Sequence, residues 1–322
     1  MRSIQAPCIR KIHHWVTLVR KGMKVAVWSI HVFPAGNGLT ASPNDALLHR
    51  PSLAATDVTD VPAEFVADPF LVQHQSEYYL FFEVLNKASG RGEIAVASSS
   101  DGREWFYERV VLQESFHLSY PQVFEHNGEM YMLPESIEAN RVQLYKAKSF
   151  PYEWEPAGEL LGNVRYLDPS LFFSEGRWWM FAGTEEGDLR LFHAEDLFGP
   201  WSEHACSPIV TRNKRISRPG GRVIRDGKTV YRYTQSAYPD YGESVSAFRI
   251  LKLTVDDYEE EEVGRVLGAT NREGDWHKDG MHHVDQLRLT DGRWLVAVDG
   301  HRCSHMSYPA WKLSRWIAKL IY

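Results

Sequence analysis

The chain has 322 residues, 43% hydrophobic and 24% charged, with a formal net charge of −6. That is ordinary globular composition with ample length for a large core, and it predicts no domain-wide basic surface of the kind a general nucleic-acid binder needs. Cys8, Cys206 and Cys303 are odd in number, far apart and without a CxxC pair; they support neither a disulfide framework nor a zinc site, and predict a reducing, cytoplasmic compartment.

Along the chain, residues 1–50 read as an N-terminal extension. Its first 24 residues mix Arg, Lys and His with short apolar runs, which predicts no signal peptide. No run of about 18 apolar residues occurs anywhere, so no membrane-spanning helix is expected. KVAVWSIHVF, from Lys24, has strand character and suits completing a sheet begun elsewhere.

From 51 to 304 one pattern recurs. ADPFLVQHQSEYYLFFE starts at Ala67, SYPQVFEHNGEMYMLPE at Ser119, LDPSLFFSEGRWWMFAG at Leu167 and SRPGGRVIRDGKTVYRYTQ at Ser217. A weaker copy, HHVDQLRLTDGRWLVAVDG, starts at His282. Each reads as a strand, a polar turn and an aromatic-rich strand, a hairpin signature. Asp68, Tyr120, Asp168, Arg218 and His283 hold the same position, at steps of 52, 48, 50 and 65 residues. A third strand follows in four copies, and turns marked by Trp105, Trp154 and Trp201 lead to a fourth. Four strands per unit of about 50 residues is the blade of a β-propeller. The predicted fold is all-β, a five-bladed propeller that Lys24–Phe33 would close. Residues 305–322 predict an amphipathic helix, with Trp311, Trp316, Ile317, Leu320 and Ile321 near one face and Lys312, Arg315 and Lys319 on another. It reads as a helix docked on the propeller, or as a peripheral contact with a membrane, such as an inner membrane surface. Docking is favoured, because so short a helix binds lipid weakly by itself.

First strands of blades line the central axis. Asp68, Tyr120, Asp168, Arg218 and His283 are therefore expected to converge on one funnel. Charges in a packed axis would each cost several kcal/mol unless paired or solvated, which favours a functional site. The alternative is that Asp68 and Asp168 shape the turns before Pro69 and Pro169.

The motifs VADPF and YLDPSLF, with aromatic hairpins and the turns SDGREW and LFGPW, resemble five-bladed propeller glycosidases of the arabinanase, xylosidase and invertase type. A wider resemblance rests on FVADPF, GRGEIAVASSSDG, FHLSYPQVFEHNGEMYMLPES, FHAEDLFGPW and RPGGRV. These are similar to the amino-terminal domain of glucosamine inositolphosphorylceramide transferases and its bacterial stand-alone relatives. In the plant proteins a separate glycosyltransferase domain follows; the resemblance covers the propeller alone and implies a carbohydrate context without settling the reaction.

The glycosidase resemblance implies that Asp68 is the base or nucleophile and that Asp168 holds the ring or tunes the acid. Those families keep a Glu acid at the start of the third blade, where this chain has Asp168; no Glu occupies any of the five positions. Glu135, in LPES, is the best substitute, since a carboxyl beside Met132, Leu133 and Pro134 could have the raised pKa an acid requires. Its alternative is a salt bridge to Arg141 or Arg91. Glu83 sits at the matching point of the first blade, and Glu185 and Glu186 are rim candidates or plain loop charge.

Gly220 and Gly221 follow Arg218 and would allow close approach of a ligand. Arg218 could clamp a carboxylate, phosphate or sulfate, which suggests an acidic or phosphorylated glycoconjugate, or it could neutralise Asp168 or Asp68. His117, Ser119 and Tyr120 suit hydroxyl recognition. MHHVDQ supplies His282, with His283 and Asp285 on one side of a strand. No cofactor is required; the resemblance leaves calcium at the axis as an alternative, and one His is no metal motif. No serine-hydrolase, zincin, Walker or Rossmann pattern appears. Three readings stand: an enzyme acting on glycosidic bonds, a glycan-binding accessory module, and transfer from a sugar nucleotide whose diphosphate Arg218 would hold.

Overall fold

The structure, a computed structural model, describes residues 23–38, 40–43 and 48–321; residues 1–22, Cys8 included, lie outside the described residues. Strand β1 (Met23–Ala35) comes first. Blade one is β2 (Ala63–His74), β3 (Glu77–Asn86), β4 (Gly92–Ser99) and β5 (Phe106–Leu112). Blade two is β6 (Ser119–His126), β7 (Glu129–Glu135), β8 (Arg141–Ser149) and β9 (Glu153–Gly162). Blade three is β10 (Leu167–Ser174), β11 (Arg177–Gly183), β12 (Leu189–Ala194) and β13 (Ser202–Glu203). In blade four the first strand is split into β14 (Arg218–Pro219) and β15 (Ile224–Asp226), followed by β16 (Thr229–Gln235), β17 (Ser244–Leu253) and β18 (Tyr258–Gly268). Blade five joins β19 (Val284–Arg288) and β20 (Trp294–Met306) to β1, in the order β1-β20-β19. The β1–β20 register runs from Met23↔Met306 to Ala35↔Trp294, so strands from both halves of the chain close the ring.

The aromatic second strands explain the stacking. Each seam between blades holds its own apolar cluster. Phe81 and Val96 meet Val123 and Met132; Leu133 and Leu144 meet Leu171 and Met180; Phe172 and Phe181 meet Val223 and Ile250. Tyr233 and Val245 meet Val284 and Trp294, while Ile30 and Leu295 meet Val66 and Phe82. Fully burying one such side chain contributes about 1.5–3 kcal/mol, so the ring is held by its seams and the axis is free to carry polar groups.

The first three blades share one irregularity. Their inner hairpins shift register between Ala67 and Phe70, Ser119 and Gln122, and Leu167 and Ser170. At that bulge Asp68, Tyr120 and Asp168 have φ of 54°, 50° and 48°, a left-handed conformation that costs a non-glycine residue about 1–3 kcal/mol. A proline follows each, and it has no N–H to lose from the ladder. Blade five has no shift: Val284↔Val298 continues unbroken to Arg288↔Trp294.

Helix α1 (Tyr308–Ile321) docks on the propeller through Glu64. Trp311 Nε1–H donates to Glu64 Oε1 at 3.0 Å, and Arg315 Nη2 lies 3.0 Å from Oε2. The sequence reading grouped Trp311 with Trp316, Ile317, Leu320 and Ile321; the structure separates them. Trp311 turns inward because its indole N–H finds an acceptor there, with Arg315 stacked 4.7 Å from its ring centre. The other four are exposed.

Candidate active site in the propeller funnel

The bulges aim Asp68 and Asp168 into the funnel, but each meets different company. Asp68 N–H donates to Asp299 Oδ2 at 3.0 Å, and Asp68 Oδ2 accepts the Tyr120 N–H at 3.2 Å. Its Oδ1 lies 3.5 Å from His282 Nε2 and 3.7 Å from His283 Nδ1. Asp299 Oδ1 faces His282 Nδ1 at 2.7 Å and accepts the backbone N–H groups of His282 and His283 at 3.2 and 3.0 Å. Trp28, delivered by β1, stacks on His282 with ring centres 4.0 Å apart and on His301 at 4.1 Å. Burial pushes the Asp68 carboxyl up to about 8; His282 opposes this, while Glu83, Asp299 and Asp168 add to it. Burial also disfavours a charged His282, but Asp299 and Asp68 outweigh it and lift the imidazole to about 8. The same imidazole holds Asp299 below the usual carboxylate range against its burial. Asp68 and His282 thus both favour their protonated forms near neutrality.

Asp168 is tied to a permanent cation. Arg218 Nε donates to Asp168 Oδ2 in a short contact, its Nη2 reaches Asp168 Oδ1 at 3.3 Å, and Nη2 lies 3.5 Å from Glu135 Oε2. Asp168 N–H donates to Glu135 Oε2 at 3.1 Å, and Gln235 Nε2 donates to Asp168 Oδ2 at 2.8 Å. Burial and the charge of Asp168 push Glu135 well above its ordinary value, with Arg218 opposing. The alternative pairing of Glu135 with Arg141 or Arg91 does not form: Arg218 lies 3.5 Å from it, Arg91 donates to the Ser115 carbonyl and Arg141 packs over Phe116. Arg218 therefore neutralises Asp168, one of its two predicted roles. The Tyr241 ring covers its guanidinium at 5.1 Å.

A second ring of positions comes from the second strands. Glu83 faces Ala67, Glu135 faces Ser119, Gly183 faces Leu167 and Gln235 faces Arg218. Asp299, whose N–H reaches the His283 carbonyl at 3.4 Å, is the member from blade five. Glu83 lies 3.3 Å from His117 Nε2, and His117 Nδ1 accepts the Gly92 N–H at 2.8 Å. Burial works against charging His117, but the hydrogen bond and charge of Glu83 prevail and raise it.

Four expected binding groups are structural. Tyr120 is fully buried; its hydroxyl lies 2.7 Å from Ser170 Oγ and accepts the Gly221 N–H at 2.7 Å, tying three blades together. Asp285 is fully buried and braces Arg222 at 2.8 Å and the Leu71 N–H at 2.6 Å. Arg222 in turn donates to the Leu71 and Val123 carbonyls, plugging the axis below the funnel. His283 is buried against Phe70 and Tyr120, at 4.7 and 5.1 Å, and burial lowers it to about 4. Gly221, at φ 140°, lets backbone meet backbone: a Cβ there would sit 1.7 Å from the Val284 carbonyl oxygen. The glycine pair thus serves the seam of blades four and five, where a ligand was expected. Glu185 pairs with Arg165 at 3.1 Å on the exposed rim.

Asp68, His282 and Asp299 each bring one ligand atom within 4.8 Å of the others. Calcium takes six to eight oxygen ligands, and two carboxylates around an imidazole do not make that cage. Cavities of about 450, 440 and 300 Å³ open near Trp276, near Trp105 and near Met281. Glu104 is the one acidic residue in their linings, so none presents paired carboxyl groups and the polar funnel is the better candidate.

Residues 45–301 match the family model described as glucosamine inositolphosphorylceramide transferase 1, N-terminal. A protein of that name from Oryza sativa subsp. japonica is 36% identical over 251 residues, covering 75% of this chain and 34% of the relative. The Arabidopsis thaliana protein is 30% identical over 298 residues, covering 85% and 39%. The chain thus spans about a third of the length of these relatives. Among solved structures it is similar to an exo-1,5-α-L-arabinanase from a bovine ruminal metagenomic library, with TM-score 0.54 and 20% identity over 76% of this chain and 94% of that one. A Cellvibrio cellulosa α-L-arabinanase complexed with arabinohexaose gives 0.54 and 18%, covering 74% and 90%. The arabinanase likeness is one of fold; the sequence match runs through four of the five blades' inner hairpins and into the last, and by it this chain belongs to the family of the N-terminal domain of glucosamine inositolphosphorylceramide transferase 1.

Proposed function

We propose that the funnel binds a carbohydrate and acts on its glycosidic bond, with Asp68 and Glu135 as the paired carboxyl groups. One observation carries this: a single funnel holds two separately wired carboxyl groups, both biased toward holding a proton. Such paired groups are what glycosyl chemistry requires. Once Asp68 has ionised beside His282, 3.5 Å away, it is a carboxylate able to take a proton from water attacking the anomeric carbon. Glu135 gives its proton to the leaving oxygen as that bond breaks, and the new carboxylate stays beside Arg218. Asp168 is a positioning residue that holds Arg218. Arg218, with the exposed Arg212, Lys214 and Arg215 on the approach, favours an acidic or phosphorylated glycan.

A glycan-binding module is the second reading. It is favoured by the sealing of the carboxyl groups: Asp68 and Glu135 are 5% exposed and Asp168 1%. Turnover by the full chain, by Asp68→Asn and by Glu135→Gln separates the two, on neutral, amino-sugar and anionic glycans with and without nucleotide sugars. Each variant should lose activity on the order of 10²–10⁴-fold with unchanged circular dichroism. Full activity in Asp68→Asn overturns the assignment. Sugar binding by calorimetry with no turnover on any glycan establishes the module, and turnover only with a nucleotide sugar establishes transfer.

A further inference from the structure

Helix α1 carries an apolar stripe that the propeller does not cover. Leu313, Trp316, Ile317, Leu320 and Ile321 are 54, 59, 42, 65 and 70% exposed, and their spacing puts them on one face. The opposite face is fixed: Trp311 and Arg315 hold Glu64, and Ala318 is buried. Lys312 and Lys319 flank the stripe. This helix is therefore held in one orientation with its apolar side outward, where single exposed apolar residues elsewhere need no explanation.

Charge says what covers it. Residues 302–322 contain Arg302, Lys312, Arg315 and Lys319 and no Asp or Glu, in a chain whose net charge is −6. Lys24 joins that flank, because Met23 pairs with Met306 and Lys24 with His305. A cationic flank beside an apolar stripe with a tryptophan is the pattern of a helix lying in the surface of an anionic bilayer.

Topology puts that surface at the funnel mouth. Strand β20 rises from Trp294, passes Asp299 in the site and continues to Met306, where the helix begins. Glu64, the anchor, lies on β2 four residues before Asp68, at the same end. The loop bearing Tyr241, which caps Arg218, also leaves β16 at that end.

We infer that α1 seats the funnel mouth on an anionic lipid bilayer. This docking stands independently of the proposed chemistry. The full chain should co-sediment with phosphatidylcholine–phosphatidylserine vesicles and much less with phosphatidylcholine alone. Each lysine beside an anionic surface strengthens binding about fivefold, so Lys312→Glu/Lys319→Glu should weaken it by at least about 30-fold. Trp316→Ser/Leu320→Ser should abolish it, with circular dichroism and activity on a soluble glycan unchanged. Asp68→Asn should bind vesicles like the parent chain, so docking and chemistry can fail separately. A parent chain that stays in solution with both vesicles overturns the docking. So does a dimer, seen by light scattering, that Trp316→Ser/Leu320→Ser dissociates while vesicle binding is absent, which would make a second copy the occupant.

Discussion

Asp68 and Asp168 stand in the same bulge of equivalent hairpins, each with positive φ and each before a proline, yet they are neutralised in opposite ways. Asp168 faces Arg218, whose charge does not titrate in the working range. Asp68 faces His282, whose charge does, and behind it Asp299 fixes the imidazole. One backbone device thus presents two carboxyls, and the partner from the neighbouring strand decides whether the wall of the funnel is locked or can exchange a proton. The locked wall suits holding and orienting; the titrating wall suits proton transfer at neutral pH.

Removing the lock should have the largest effect. Arg218→Ala leaves Asp168 and Glu135 buried together without a cation, and removing one partner of a buried pair costs about 3–5 kcal/mol. Urea unfolding at pH 7 should show that loss. A loss below about 1 kcal/mol would mean that Asp168 does not depend on Arg218, and the contrast between the walls would collapse.

The titrating wall predicts a pH dependence. His282 is raised from 6.5 to about 8, so its contribution is complete below 6.5 and is lost as pH rises through 8. Asp68 is raised from 3.8 to about 8, so up to that pH the folded chain holds a proton that the unfolded chain has released. Both make stability fall with rising pH. His283 and His301, each lowered to about 4, act oppositely, but only below 6.5. From 6.5 to about 9 every one of these shifts, with those of His117 and Glu135, which are also raised, has the same sign or none: Tm should drop, and Asp68→Asn, which cannot ionise, should remove part of the drop. An equal slope in both proteins would mean that Asp68 does not hold a proton in this range.

These walls were unequally legible in the sequence. Asp168, Arg218 and Glu135 lie in regular repeats, and counting along them reaches side chains that the structure brings together. The other wall depends on blade five, where the hairpin lacks the bulge of blades one to three. Aligning a straight strand with bulged ones shifts the count by one, and one residue changes the face. That is why the spacing picked His283, which packs into the axis, where His282 bonds Asp299. Asp299 itself ends LVAVD, a continuation of the second strand that the matching positions of Glu83 and Glu135 could have flagged. Trp28 was out of reach, since nothing local ties a strand 254 residues upstream in the chain to His282. Tyr120 and Asp285 misled for a different reason: a polar residue at an axis position is equally suited to bracing blades, and only its partners tell the roles apart.

Tyr241 offers the smallest and finest test, because it touches both walls. It leaves the loop between β16 and β17, caps Arg218 at 5.1 Å and meets the ring of His282 edge-on at 5.2 Å. Tyr241 is 46% exposed, so it also offers an aromatic surface on which a sugar could stack. An exposed cation–π contact is worth about 0.5–1 kcal/mol. Tyr241→Ala should therefore weaken sugar binding about three- to fivefold by calorimetry, while Tyr241→Phe keeps it. If the alanine variant lowers Tm and leaves sugar affinity untouched, Tyr241 is only a cap on Arg218. If affinity falls with Tm unchanged, the two walls present one binding surface, joined by a residue that belongs to neither.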